Sequence, residues 1–433
     1  MIPQITASTI YSTLGNNSSL IPLAIKDVAN SCGLTAASYI AGDKHEGKDR
    51  FIDEFGTQAI WLGGLPTFKY LLGKGLCLPK KFDHKIDARI LNDKEILKAA
   101  QEFAPTEAIK NSIIHVAENA KTYKGIAMAK FIGATVLTAL SYFGLTKFRH
   151  KYTENQIKKD YMARKNAEKE FKEISFSSAF SDVHNKKSNA QVSFTGLQSF
   201  MFDPVRNLML VDAAITGERL SHARNGQDFM GYAIKEGSFW FFVYFAGQKI
   251  AKALENYTEN KYKKSIDLDA RVIESSEFKD AFANGTLKSH LEAFKAADKS
   301  NVDIYKFAVK PDTKNLVVDM AKKSDVIPLL KLSWFKKSDK VDTRKYIDLD
   351  ELRGVHSKIE KLLSQFENSG QNVDDFFKSL RKLKRGSVLI NIGSCIAALG
   401  VIAPGIMLAL RKFGKDSEYQ VKKDVEAKLN GNV

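Results

Sequence analysis

The stretch SVLINIGSCIAALGVIAPGIMLAL, Ser387–Leu410, runs for twenty-four residues without a charge. At about 1.5 Å rise per residue, a helix of that length crosses the roughly 30 Å hydrocarbon layer of a bilayer. RKLKR (Arg381–Arg385) precedes it and Arg411–Lys412 follow, which puts cations at the two ends where headgroups would lie. Asn391 and Pro404 are tolerated inside a membrane helix, whose neighbours re-satisfy freed polar groups. The competing reading is a fully buried helix of a soluble protein. A second run, Ile126–Leu145, is interrupted only by Lys130 near its start, where a lysine can snorkel to the interface. Both are read as transmembrane helices.

Two further apolar segments, about 59–73 and 234–247, are shorter and rich in aromatics such as Trp61, Trp240 and Phe241. Segments of that length span, re-enter or lie at the surface, and the sequence leaves the three open.

The runs recur in a pattern. QIKKD (Gln156–Asp160) and QVKKD (Gln420–Asp424) each follow a long apolar run. In the same order, IAGD (Ile40–Asp43) matches ITGE (Ile215–Glu218), and DARI (Asp87–Ile90) matches DARV (Asp269–Val272). DEFGTQAIWLGGLPTF (Asp53–Phe68) aligns with QDFMGYAIKEGSFWFF (Gln227–Phe242), pairing Phe55 with Phe229. One short match means little; several in one order imply a tandem duplication. The chain divides into an N-terminal segment 1–35, repeat 1 at 36–170, a polar linker 171–204 rich in Ser, Asn and Lys, and repeat 2 at 205–430.

Repeat 2 is longer because of a mostly polar insertion, about 274–375. Within it Leu352, Val355, Ile359 and Leu362 fall at helical spacing, and DVIPLLKLSWF reads as an extended apolar patch. Period-2 alternation is otherwise scarce. The expected class is mainly α: an integral membrane protein of two parallel helical repeats, with a helical extramembrane insertion in repeat 2. Parallel repeats need an even number of crossings each, or one crossing plus a re-entrant pair. The two pentapeptides then face one compartment.

Net charge is +16 over 433 residues, so an anionic neighbour or a solvated basic surface is implied. Cys32, Cys77 and Cys395 share no motif spacing, which gives neither a disulfide framework nor a cysteine metal site. The first lysine is Lys26, so the N-terminus lacks the basic region of a cleaved signal peptide. Nucleotide-binding glycine loops, zinc-protease helices, nucleophile elbows and calcium loops are absent. Nothing resembles a nucleic-acid-binding motif. No metal or cofactor is expected.

Three sets of residues are candidates for a role. Lys158, Lys159, Lys422 and Lys423 lie beyond the apolar runs and read as lipid-facing anchors, each near-surface cation gaining about 1 kcal/mol from an anionic leaflet. Asp87 and Arg89, with Asp269 and Arg271, are repeat-matched ionic pairs. They read as local salt bridges at helix starts, ahead of an inter-repeat contact or an anion site. GDKHEGKDRFIDE (Gly42–Glu54) and its counterpart GERLSHARNGQD (Gly217–Asp228) form the chain's one His and carboxylate cluster, read as a solvated loop before an apolar helix.

The function expected is that of a non-enzymatic structural or interaction protein of the cytoplasmic (inner) membrane, with its basic tails in the cytoplasm. Its partners would be the lipid bilayer, chiefly anionic lipids, and another membrane or peripheral protein. The alternative is a small transporter or channel built from the two repeats. A polar stripe shared by both long apolar runs would favour transport.

Overall fold

Long helical runs with cap residues at their starts and few strand signals build a mainly helical chain. The computed structural model describes residues 6–16, 20–169, 197–224, 226–332, 337–413 and 419–431. Most of the polar linker, 170–196, lies outside the described residues, as do Trp334 and Phe335 of the apolar patch. Two helices, Ala120–Asn166 and Val373–Leu410, are long and apolar enough to cross a membrane. They contain the runs 126–145 and 387–410.

The chain forms two compact units, and these cut across the two sequence repeats. The first unit comprises Met1–Asn17, Lys69–Gly133 and Ala246–Ser394. Its core is apolar and aromatic: Phe278, Phe282, Phe294, Phe376 and Phe377 are buried with Leu352, Val355, Ile359 and Leu362. Those four come from the helix Leu349–Glu367, whose N-cap Asp348 accepts from Asp350 and Glu351 amides and so stops the chain from fraying there. Ala99 and Ala100, from repeat 1, are buried in the same core, so the insertion does not stand apart as its own domain. The patch after Pro328 is extended: Leu329–Lys331 pairs antiparallel with Lys337–Val341, Leu329 opposite Val341.

The second unit comprises Ser18–Phe68, Ala134–Phe245 and Cys395–Val433. The Leu20 helix (Leu20–Ala41) packs along the Lys44 helix (Lys44–Gln58) and against the segment Ala398–Phe413. The Pro204 helix (Pro204–Ser221) packs on the Gly226 helix (Gly226–Phe239), and the Gln420 helix (Gln420–Leu429) closes the chain.

Among the described residues, three helices carry a π-helical stretch: Ala59–Gly64, Trp240–Ala246 and Ala398–Ile402. The segments 59–73 and 234–247 are thus parts of continuous helices and not broken re-entrant pieces. Element starts recur at the spacing of the Asp87 and Asp269 strings and not at that of the Phe55–Phe229 alignment. The helices beginning at Lys44 and Gly226 start 182 residues apart, and the caps Asp87 and Asp269 are also 182 apart. Phe55 consequently sits in the last turn of its helix and Phe229 in the first turn of its own, two helical turns out of step.

The Leu20 helix and the Ala398–Phe413 segment meet backbone to backbone. A Cβ added at Gly33 would lie 2.3 Å from the Gly400 carbonyl oxygen and 2.7 Å from Pro404 Cγ. Neither neighbour is a flexible side-chain end that could swing away. Gly33→Leu should therefore destabilise the protein by about 1–3 kcal/mol or more through overpacking. Thermal unfolding of the purified full chain measures it, and an unchanged midpoint would mean the two helices are not in close contact.

Candidate functional site

The stretch Gly42–Glu54, expected as a solvated loop, is instead the start of a buried helix. Asp43 is the N-cap: its carboxylate accepts from the His45 amide at 2.8 Å and the Glu46 amide at 3.0 Å. With the helix begun there, Asp49 and Asp53 fall one turn apart on one face, and so do Arg50 and Glu54. His45, Glu46, Asp49, Arg50, Asp53 and Glu54 are all buried. The sequence reading failed because no apolar period marks this helix. Its inner face is ionic, and its partners come from distant segments.

Asp53 is the hub, 0% exposed. Its carboxylate lies 3.3 Å from Arg149, 3.2 Å from Arg219, 3.8 Å from Arg50 and 4.0 Å from Lys235. Asp49 faces Arg149 at 3.6 Å and Arg224 at 2.9 Å. Glu54 pairs with Lys235 at 2.9 Å, and Glu236 takes the remaining arm of Arg219.

Neutral donors and acceptors lace the pairs together. Tyr142 donates to Asp53 at 3.1 Å while its oxygen accepts from Arg219. Thr153 donates to Asp49 at 2.6 Å, and the Tyr232 oxygen accepts from Arg149 at 2.6 Å. Thr138, Tyr142, Thr146, Arg149 and Thr153 form one buried row on the long helix Ala120–Lys169, spaced by four and three residues. That spacing was present in the sequence but straddles the end of the apolar run at Leu145.

The charges respond to this wiring. Burial alone would push Asp49 up, but Arg149 and Arg224 outweigh it and hold the carboxyl at about 2. Burial likewise opposes ionisation of Asp53, and Arg149 and Arg219 overcome it, holding it well below the usual carboxylate range.

Asp27 and Asp212 differ. Neither has an ion-pair partner among the described residues; Asp27 accepts from the Trp61 indole at 3.1 Å, and Asp212 from the Tyr244 hydroxyl. Trp61 and Tyr244 both lie in π-helical stretches, where the wider turn displaces side chains from ordinary α positions. Burial raises Asp27 to about 7, Lys235 opposing and the nearby Glu54 and Asp212 adding to it. Burial raises Asp212 to about 7 as well, against the Tyr244 hydrogen bond. Both carboxyls line one small cavity of about 20 Å³, together with Glu54, Trp61, Arg219, Lys235 and Glu236. That volume accommodates a single water molecule.

The residues singled out from sequence fall elsewhere. Asp87 caps a short helical turn and receives the guanidinium of its own neighbour Arg89 at 2.7 Å. Asp269 and Arg271 repeat this arrangement at 3.0 Å, with Asp325 added on Arg271 at 2.6 Å. A third copy, Asp342 and Arg344 at 3.0 Å, escaped notice because Thr343 stands where the others have alanine. All three lie in the first unit and are local turns, not a shared anion site.

The two pentapeptides do meet. Ile157 is buried against Tyr419, Val421 and Val425. Lys422 pairs with Asp43 at 3.4 Å, and Asp160 with Lys44. Lys158 and Lys423 are half-buried; Lys159 is exposed. The Asp228 side chain lies outside the described residues. No group of three His, Cys, Asp or Glu among the described residues is placed to hold a metal ion.

Removing one member of such a net leaves a buried charge unpaired, which costs about 3–5 kcal/mol. Arg149→Met should therefore lower stability by that order, and Asp49→Asn in the same chain should recover part of it. Denaturant unfolding of the two single variants and the double variant measures the coupling; strict additivity would show the pair to be independent. Because the folded-state value of Asp49 is depressed, its contribution is complete above about pH 4 and is lost as pH falls towards 2; the contribution of Asp53, also depressed, has the same sign.

Comparison of the chain with protein-family models, curated proteins and solved structures gives no match.

Proposed function

We propose that the chain is an integral protein of the cytoplasmic (inner) membrane, with a structural or interaction role and no catalysis of its own. One observation carries the membrane reading. The most apolar windows of the two long helices are only 22% and 39% buried inside the protein. A soluble core helix of that hydropathy would be covered. Here Val136, Leu137, Leu140 and Phe143 are exposed on one, and Leu389, Ile390, Val401 and Ile402 on the other. Apolar surface on this scale needs a lipid or protein neighbour.

The tandem duplication remains part of this reading, in the register of the elements: helix, helix, π-helical stretch, then an Asp-x-Arg turn. The packing of Ile157 on Val421 favours both pentapeptides facing one compartment. Attraction to anionic lipid then falls on Lys159 more than on Lys422, whose charge is engaged by Asp43.

A transporter is the second reading, favoured by the buried ionic net and its cavity, since ionisable groups inside a membrane bundle mark functional positions. Against it, the polar row is one-sided. The Ala120–Lys169 helix carries it, whereas the run Ser387–Leu410 contributes Asn391 as its one buried amide.

Val401 is 69% exposed, so a charge there tests insertion without disturbing packing, which Arg at Gly400 would do by entering the contact with Ala29. Val401→Arg should cost about 2.5–3.5 kcal/mol of insertion free energy and reduce carbonate-resistant membrane association. Release of the wild-type chain by alkaline carbonate would overturn the membrane reading.

A further inference from the structure

Within the second unit, the ion-paired net holds four carboxylates, Asp49, Asp53, Glu54 and Glu236, against five cations, Arg50, Arg149, Arg219, Arg224 and Lys235. Further buried carboxyls adjoin it. Glu218 receives the Thr146 hydroxyl and lies beside His222, whereas Asp27 and Asp212 both wall the cavity, both are buried, and each is held by one neutral donor.

We propose that the cavity between Asp27 and Asp212 is a proton-binding site, in which this pair holds one exchangeable proton beside a single water molecule. Glu54 lines the same cavity, its Oε2 paired with Lys235 at 2.9 Å.

The pair is surrounded by charged and titratable groups from several elements. The Leu20 helix brings Asp27, with Lys26 turned to Cys395. The Lys44 helix and its π-helical extension bring Glu54, Thr57 and Trp61, and the Pro204 helix brings Asp212 and Arg219. The Gly226 helix brings Lys235 and Glu236, and its π-helical extension Tyr244. The segment 398–410, which packs on the Leu20 helix, has no titratable side chain.

A metal cation is the rival occupant, and the geometry disfavours it. Hard cations take about six or more oxygens, whereas this cavity has room for one water and is lined by the ammonium of Lys235 and the guanidinium of Arg219. A proton needs neither the room nor the oxygen shell. Two buried carboxyls that line one small cavity cannot both ionise cheaply, which is the condition for retaining a proton near neutrality. The site goes beyond the membrane reading and does not depend on it.

The test is infrared difference spectroscopy of the purified full chain across pH 5–9, in which a protonated carboxyl is distinguished from carboxylate. The expected result is an acid carbonyl band that disappears with a midpoint near 7 and shifts in heavy water. Asp27→Asn or Asp212→Asn should remove or displace it, and Asp27→Glu should shift it without loss. Absence of any such band in the wild-type chain overturns the proposal, and that measurement stands even if both Asn variants fail to fold. A band indifferent to substitution at both positions overturns it too. So does a band abolished by sodium chloride but not potassium chloride at fixed pH, which would make this a cation site. Because the folded-state carboxyls titrate higher than unfolded ones, stability from this pair should be fullest below about pH 4 and fall as pH rises through 7. The Asn variants should flatten that slope.

Discussion

One carboxylate, that of Asp53, organises the second unit. Four cations converge on it, Arg50 from its own helix and Arg149, Arg219 and Lys235 from three others. A buried ion of this kind contributes little net stability, because its desolvation offsets most of the attraction. What it supplies is specificity. Any arrangement of these helices that does not bring Arg149, Arg219 and Lys235 onto the Lys44 helix strands several charges away from water. The apolar faces could slide; the ionic faces cannot.

That constraint explains the division of labour within the chain. The first unit is held by an ordinary core, with aromatic pairs such as Phe278 on Phe282 at a ring separation of 5.1 Å and caps such as Ser275 and Asp348. The second unit buries an ionic net beside apolar clusters such as Ile157 with Val421 and Leu34 with Met407, and leaves other apolar side chains exposed. Exposed Leu140 and Phe143 flank buried Tyr142 on one helix.

How legible was this from sequence? The amphipathic helix with Leu352, Val355, Ile359 and Leu362 could be read because burying one apolar face imposes a 3.6-residue period. The long apolar runs could be read because length and absence of charge suffice. The site could not. Asp53 meets Arg219 across 166 residues, and no periodicity records which distant charge a carboxylate will find. A helix with charges at positions 49, 50, 53 and 54 looks solvated unless its partners are known. The matched strings misled in a subtler way. They aligned Phe55 with Phe229 by composition, whereas caps and helix starts follow a different spacing. The Asp-x-Arg turns, being local, were visible, apart from the copy at Asp342.

The three π-helical stretches carry a consequence of their own. An α-helix keeps one stripe in phase along its whole length. A single wide turn advances that phase by about one residue, roughly 100°. Upstream of Ala59 the Lys44 helix shows an ionic stripe to its neighbours, and within the wide turn Trp61 is carried round to meet Asp27. One rod thus serves two environments without a loop. The chain can satisfy a charged interior at one level and a different set of neighbours at the next by rotation alone. An alternation between π and α in such a stretch would turn one half of the rod against the other, with the helix unbroken throughout.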